Sequence, residues 1–194
     1  MIDLYFWTTG NGYKARLMVE EVGLDYNLLP VCITKREQLE APYRKISPSH
    51  KIPTLVDSDG PGGEAVTLIE SGAILRYLAA KAGAHLVPVD PLRRIEMDQW
   101  FYYALSTLTM NLTQLNFFLN RFSEDVPAAK THYAAEGRDQ YAVMDAWLKG
   151  RDYFAGDYSL ADIAFYPYVR SHDSLGLSLD ELPDLKRWFE TVSE

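Results

Sequence analysis

The chain predicts an α+β N-terminal domain built on a mixed four-stranded sheet, followed by an all-α C-terminal domain. Three observations carry this. Short β-favouring runs alternate with helical runs over residues 1–83, strand signals stop after Pro88-Val89-Asp90-Pro91, and from Leu92 onward the apolar residues recur at helical spacing. With 194 residues, 47% hydrophobic and 24% charged, the chain has the composition of a globule rather than of a disordered segment. A chain of this size can bury ~70% of the surface it exposes when unfolded.

Taken in order, Ile2 to Trp7 reads as a strand closed by Thr8-Thr9-Gly10-Asn11-Gly12. Ala15, Met18, Val19 and Val22 then fall at helical spacing, and Gly23 stops the run. Tyr26 to Ile33 reads as a second strand, and Arg36 to Tyr43 as a weakly helical or irregular stretch. Ile52 to Val56 and Ala65 to Ile69 flank the Gly/Pro/Asp-rich turn Asp57–Glu64, which makes them a hairpin. A helix follows from about Ser71 to Lys81. The first two strands need a crossover helix and so run parallel, while the hairpin is antiparallel. This β-α-β, connector, β-β-α order is the thioredoxin-like plan. Beyond it, Leu92–Phe122, Ala128–Leu148, Ser159–Arg170 and Pro183–Val192 read as helices. The expected division is residues 1–83, a proline-bearing linker at 84–91, and a helical domain at 92–194.

Charge and composition exclude several functions. With 19 Lys+Arg against 27 Asp+Glu the net charge is −8, which argues against a nucleic-acid binder tracking phosphates. The single cysteine, Cys32, rules out an internal disulfide framework and a cysteine-built zinc site. Four scattered histidines make no metal-ligand spacing, and no run of ~20 apolar residues spans a membrane. The start Met1-Ile2-Asp3 lacks the basic region of a signal peptide, so a cytoplasmic location with reduced thiols is the expectation.

Three motifs remain. Gly10-Asn11-Gly12-Tyr13-Lys14-Ala15 fits the glycine pattern of a dinucleotide site, but the following strand ends Val31-Cys32-Ile33-Thr34-Lys35 without the acid that would hold a ribose. A tight strand-to-helix turn is the plain reading, and backbone N–H groups there favour an anion. In His50-Lys51-Ile52-Pro53-Thr54-Leu55, a proline opening a core strand cannot donate to the ladder. In thioredoxin-like folds this proline, here Pro53, is cis and the residue before it offers its backbone to a peptide-like ligand. In Glu70-Ser71-Gly72-Ala73-Ile74, Ser71 is either an N-cap or a holder of a ligand carboxylate, with Glu70 pairing a ligand ammonium.

Together the Ile-Pro step, the Glu-Ser-Gly-Ala-Ile run and the helical second half resemble the cytosolic glutathione transferases over nearly the whole chain. Ser159-Leu160-Ala161-Asp162 matches the family's capping box in the helical domain. Thr9-x-Asn11-Gly12 and Ile46-Ser47-Pro48 are most similar to the bacterial nu class, whose members are glutathione-dependent disulfide reductases. The resemblance implies glutathione as co-substrate, with neither metal nor nucleotide. It places Thr9 where serine-type enzymes carry the catalytic serine, and Asn11 beside the sulfur. It gives Ile52 a backbone pairing with the cysteinyl residue, Glu70 and Ser71 the γ-glutamyl end, and Gln38, His50 and Lys51 the glycyl carboxylate. It also implies a homodimer and a small electrophilic or disulfide second substrate in a cleft, with Trp7, Tyr102, Tyr103, Met110 and Phe117 as candidate lining. The chain departs from the nu pattern where an arginine reaches the ligand from the helical domain. His132 is the nearest match, with Arg138 further on.

Two other nucleophiles fit poorly. Cys32 lies in an expected strand rather than at the first helix's start, and Tyr5 lies mid-strand, so both read as packing residues. The expected activity is therefore stabilisation of a ligand thiolate for attack on an electrophile, disulfide or peroxide, disulfide reduction being favoured. The alternative from another class is a non-catalytic glutathione transferase-like module.

Overall fold

In the computed structural model, which describes residues 1–83 and 85–194, the chain divides into two compact units, Met1–His85 and Leu86–Glu194. Ala84, within the expected linker, lies outside the described residues.

The first unit is a four-stranded sheet in the order β2-β1-β3-β4, formed by β1 (Ile2–Phe6), β2 (Tyr26–Pro30), β3 (Thr54–Asp57) and β4 (Val66–Ile69). β1 and β2 are parallel, and the β1–β3 and β3–β4 pairs are antiparallel, as the connections require. Helix α1 (Gly10–Glu21) crosses between β1 and β2, α2 (Ala41–Ile46) precedes β3, and α3 (Ser71–Ala82) follows β4. Ile2, Leu4 and Phe6 alternate into the core, where Ala15, Met18, Val19, Leu55, Ile74, Leu75 and Leu78 are fully or almost fully buried.

Two strand boundaries differ from expectation by more than one residue, for local reasons. The second strand ends at Pro30 rather than Ile33. Val31 donates one last bond to the Phe6 carbonyl at 2.8 Å, and then the Glu37 carboxylate takes the Cys32 N–H at 2.6 Å. That diversion turns the chain into two short 3-10 turns, Ile33–Lys35 and Glu37–Leu39, so Cys32 is buried just past a strand rather than within one. The third strand starts at Thr54 rather than Ile52, because Pro53 has no N–H to give the ladder.

The second unit contains α4 (Pro91–Tyr102), a π-helical turn at Tyr103–Leu108, α5 (Thr109–Asn120), α6 (Pro127–Leu148), α7 (Leu160–Val169) and α8 (Pro183–Ser193). The single helical run expected over Leu92–Phe122 is thus interrupted by the π turn. The core centres on aromatics: Phe154 stacks on Phe165 at 4.2 Å and meets Trp100 and Trp188 at 5.3 and 5.4 Å. The capping box forms as expected. Ser159 Oγ accepts from the Ala161 N–H, and the Asp162 carboxylate accepts from the Ser159 N–H at 3.0 Å. Asp162 also accepts from the Ser159 hydroxyl, the Phe154 N–H and the Trp188 indole N–H, at 2.9, 3.2 and 2.9 Å. Burial pushes its carboxyl up to about 6 against the pull of these four donors.

Candidate functional site

The strand register gathers the sequence motifs at one edge of the sheet. Tyr5 faces Thr54 and Thr54 faces Ile69 across the ladders, so the chain leaving β1, entering β3 and leaving β4 does so at a common end. Thr9 and Asn11 follow β1, Ile52 and Pro53 precede β3, and Glu70 and Ser71 follow β4. Because β3 lies between β1 and β4, the Ile52 segment lies between the starts of α1 and α3.

At the start of α1, Thr9 is the N-cap, and its Oγ1 accepts from the Gly12 N–H at 3.1 Å. An accepting hydroxyl keeps its own proton to donate, so Thr9 remains a donor at the edge. Gly12 has no room for a side chain, since a Cβ there would lie 2.1 Å from the Trp7 carbonyl oxygen. The glycine pattern is therefore a tight turn into a helix. Asn11 Oδ1 accepts from the Ser71 hydroxyl at 3.4 Å, which joins the starts of α1 and α3 and leaves the carboxamide nitrogen of Asn11 as the donor of that side chain.

The start of α3 is left open. Glu70 occupies the N-cap position with φ 70°, a left-handed conformation that is strained for a non-glycine residue, and its side chain makes no capping bond. Ser71 is the first helical residue, so the N-cap reading of Ser71 does not hold; its hydroxyl reaches sideways to Asn11. The first-turn amides of α3 thus lack the side-chain partner that closes α7. Among the described residues, none hydrogen-bonds to the Ile52 N–H or C=O, and the Ile52-Pro53 peptide is cis as expected.

The three residues expected at the glycyl end are placed less tightly. Gln38 sits in the 3-10 turn beyond β2, with its carbonyl oxygen buried and without a hydrogen-bond partner. His50, at φ 54°, accepts from Arg44 Nε at 3.2 Å. The Lys51 side chain is exposed, while its carbonyl is held by Tyr43 and Ser47. Tyr43 and Ser47 escaped the sequence reading as site residues. The signal was a serine followed by proline, five residues ahead of the Ile52-Pro53 step. Lys14, in the second turn of α1, is fully buried, and desolvation lowers its ammonium to about 7. Tyr5 packs on the Tyr43 ring at 5.8 Å, a packing role as expected.

Among the candidate lining residues of the second unit, Tyr102, Met110 and Phe117 are exposed, whereas Tyr103 is half-buried against Trp100 and Phe165. His132 is exposed on α6 beside Tyr133. Among the described residues there is no group of three or more His, Cys, Asp or Glu placed to hold a metal ion, and no helix is long and apolar enough to cross a membrane.

Residues 11–81 match the family model of the glutathione S-transferase N-terminal domain, and residues 125–194 that of the C-terminal domain. The chain is 38% identical over 194 residues to the disulfide-bond oxidoreductase YfcG of Escherichia coli, covering 99% of this chain and 90% of that one. Among solved structures it is similar to a glutathione transferase from Pseudomonas putida with one glutathione disulfide bound per subunit. The TM-score is 0.92 and the identity 34%, covering 100% of this chain and 86% of that one. A glutathione transferase from Burkholderia graminis, with two glutathione molecules bound per subunit, gives a TM-score of 0.91 at 34% identity, covering 98% and 82%.

Proposed function

The chain belongs to the glutathione S-transferase family, and from that premise we propose that it binds glutathione at the sheet edge and reduces disulfides with it. The observation that carries this is the unpaired Ile52 backbone lying between two helix starts, one offering hydroxyl and carboxamide donors and the other open amides. A peptide with a thiol in its middle and carboxylates at its ends fits that spacing of groups. Ile52 pairs with the cysteinyl residue, Glu70 and Ser71 take the γ-glutamyl ammonium and carboxylate, and Gln38, His50 and Lys51 face the glycyl carboxylate. The division into a ligand-holding half at 1–83, a connector at 84–91 and a helical half at 92–194 belongs to the same reading.

No protein nucleophile is needed. A free thiol of pKa near 8.5 is only a few per cent thiolate at neutral pH, and lowering that value by about 2 units takes about 2.7 kcal/mol of preferential anion stabilisation. The Thr9 hydroxyl, the Asn11 carboxamide and the positive end of α1 supply donors of the needed kind, each charge-assisted bond contributing ~1.5–3 kcal/mol. The thiolate attacks one sulfur of the second substrate's disulfide, forming a mixed disulfide and expelling a thiolate that takes up a proton. A second glutathione thiolate then attacks the glutathione sulfur, releasing glutathione disulfide and the second product thiol. Relatives holding glutathione disulfide or two glutathione molecules support this reading over attack on an electrophilic carbon or a peroxide. The exposed Leu92 and Ile95, one helical turn apart on α4, support a homodimer. A cytoplasmic location suits a reaction that consumes a reduced thiol.

The test is a thermal shift with reduced and oxidised glutathione, followed by turnover of a small mixed disulfide. Ligand at 100 times its Kd adds ~2.7 kcal/mol of stability. A shift with either form together with disulfide turnover is expected. No shift with either form would favour a non-catalytic module of the same fold.

A further inference from the structure

The Lys51 carbonyl, next to Ile52, accepts two side-chain hydrogen bonds. Tyr43 donates its hydroxyl to that oxygen at 2.7 Å, and Ser47 donates its own at 2.9 Å, so both lone pairs are occupied. Each donor is buried: Tyr43 is 6% exposed and Ser47 fully enclosed. Thr54, also fully buried, lies 2.8 Å from the Tyr43 oxygen; since the tyrosine proton goes to Lys51, the Thr54 hydroxyl donates here. Thr54 is itself paired in the sheet with Tyr5 and Ile69. The result is a continuous chain, Thr54 to Tyr43 to the Lys51 carbonyl, met from the other side by Ser47.

The carbonyl of Lys51 and the N–H of Ile52 belong to one planar peptide unit and point in opposite directions. Two hydroxyls gripping the oxygen therefore aim the Ile52 N–H the other way. A hydrogen bond weakens steeply with misalignment, so a peptide plane free to rock would bind a ligand backbone poorly. Ordering it beforehand removes that cost from binding.

We propose that Tyr43 and Ser47 are positioning residues that lock the Lys51–Ile52 peptide plane and thereby set the affinity for glutathione. This rests on the glutathione reading of the site. Neither side chain touches the sulfur end, where Thr9 and Asn11 act, so the lock governs capture of the ligand and leaves the thiolate step alone.

The variants that test this are Tyr43→Phe, which keeps the ring against Tyr5, Ser47→Ala, and the pair together. Tyr77→Phe is the control, since it removes a hydrogen bond to buried Asp57 in the same unit without touching Lys51. The measurements are glutathione Kd by calorimetry, KM and kcat for disulfide reduction, and melting temperature. Tyr43→Phe or Ser47→Ala alone is expected to raise Kd and KM about 3- to 10-fold, and the pair about 10- to 30-fold, with kcat at saturating glutathione within about twofold of wild type. Tyr77→Phe is expected to lower the melting temperature with Kd unchanged. If either single variant binds glutathione as wild type does, or if Tyr77→Phe weakens binding as much as they do, the lock has no such role and the proposal is overturned. Wild-type protein that binds no glutathione overturns the function reading instead, a result visible before any variant is made. Should the pair fail to fold, the isosteric Tyr43→Phe variant decides alone.

Discussion

Two helix starts in this molecule begin from the same physical problem and solve it in opposite ways. At α7 the orphaned first-turn groups are closed from within: Ser159 and Asp162 bond each other's backbone, and Asp162 also ties in Phe154 and Trp188. At α3 the N-cap residue Glu70 holds a strained left-handed backbone, caps nothing, and leaves the amides to something outside the fold. A helix start satisfied by its own chain contributes to stability, and one left open contributes to binding. Glu70 thus combines a strained backbone with a side chain that makes no capping bond.

The contrast is broken if both starts behave alike on mutation. The largest effect is expected at the closed one. Asp162→Ala leaves the Trp188 indole, the Phe154 N–H and the Ser159 groups buried without an acceptor, a loss of about 3–5 kcal/mol. For a chain of this size that lowers the melting temperature by roughly 6–20 °C, read by calorimetry. Glutathione KM, measured well below the new transition, should stay within about twofold. At the open start the pattern reverses. On the proposed reading the Ser71 hydroxyl turns its one proton from Asn11 to the ligand's carboxylate, so Ser71→Ala should raise glutathione Kd about 10-fold by titration calorimetry while moving the melting temperature by no more than ~2 °C.

The closed start was legible in the sequence because every partner in the box lies within four residues, and local spacing is what a sequence displays. The open start was half legible. Glu70 and Ser71 stood out as a motif, yet whether Ser71 capped the helix or faced away depended on a contact with Asn11 sixty positions earlier in the chain. The β2 end was missed for a related reason: the Glu37 carboxylate competes for the Cys32 N–H, and side chains that divert backbone donors leave no periodic trace. Tyr43 and Ser47 left little trace beyond the Ser47-Pro48 step, because they bond a carbonyl, a group every residue carries.

A buried titratable group accompanies each half of the comparison, and desolvation dominates at both. It raises the Asp162 carboxyl to about 6 against four donors, and it lowers the Lys14 ammonium to about 7. The unfolded chain holds this proton up to about pH 10.5, so between about 7 and 10.5 the unfolded state binds more protons than the folded one. Stability attributable to Lys14 therefore rises with pH across that window, by at most about 1.4 kcal/mol per pH unit. Lys14→Met should abolish this slope. The check is the difference in unfolding free energy between wild type and variant at pH 7 and pH 9, and a difference that does not change with pH would mean that the buried lysine keeps its ordinary affinity for the proton.

The smallest expected effect tests whether either half supplies the reacting sulfur. Cys32 is the chain's single cysteine; its Sγ lies 3.1 Å from the Thr34 hydroxyl, and the residue is buried beside the turn that ends β2. Serine keeps both the size and the Thr34 contact, so Cys32→Ser should leave kcat/KM for disulfide reduction within about twofold and the melting temperature nearly unchanged. A loss of turnover in folded Cys32→Ser protein would place a nucleophile in the polypeptide itself. The open helix starts would then hold glutathione only as the reductant of a protein disulfide intermediate, and the donors at Thr9 and Asn11 would no longer be needed to lower a ligand thiol's pKa.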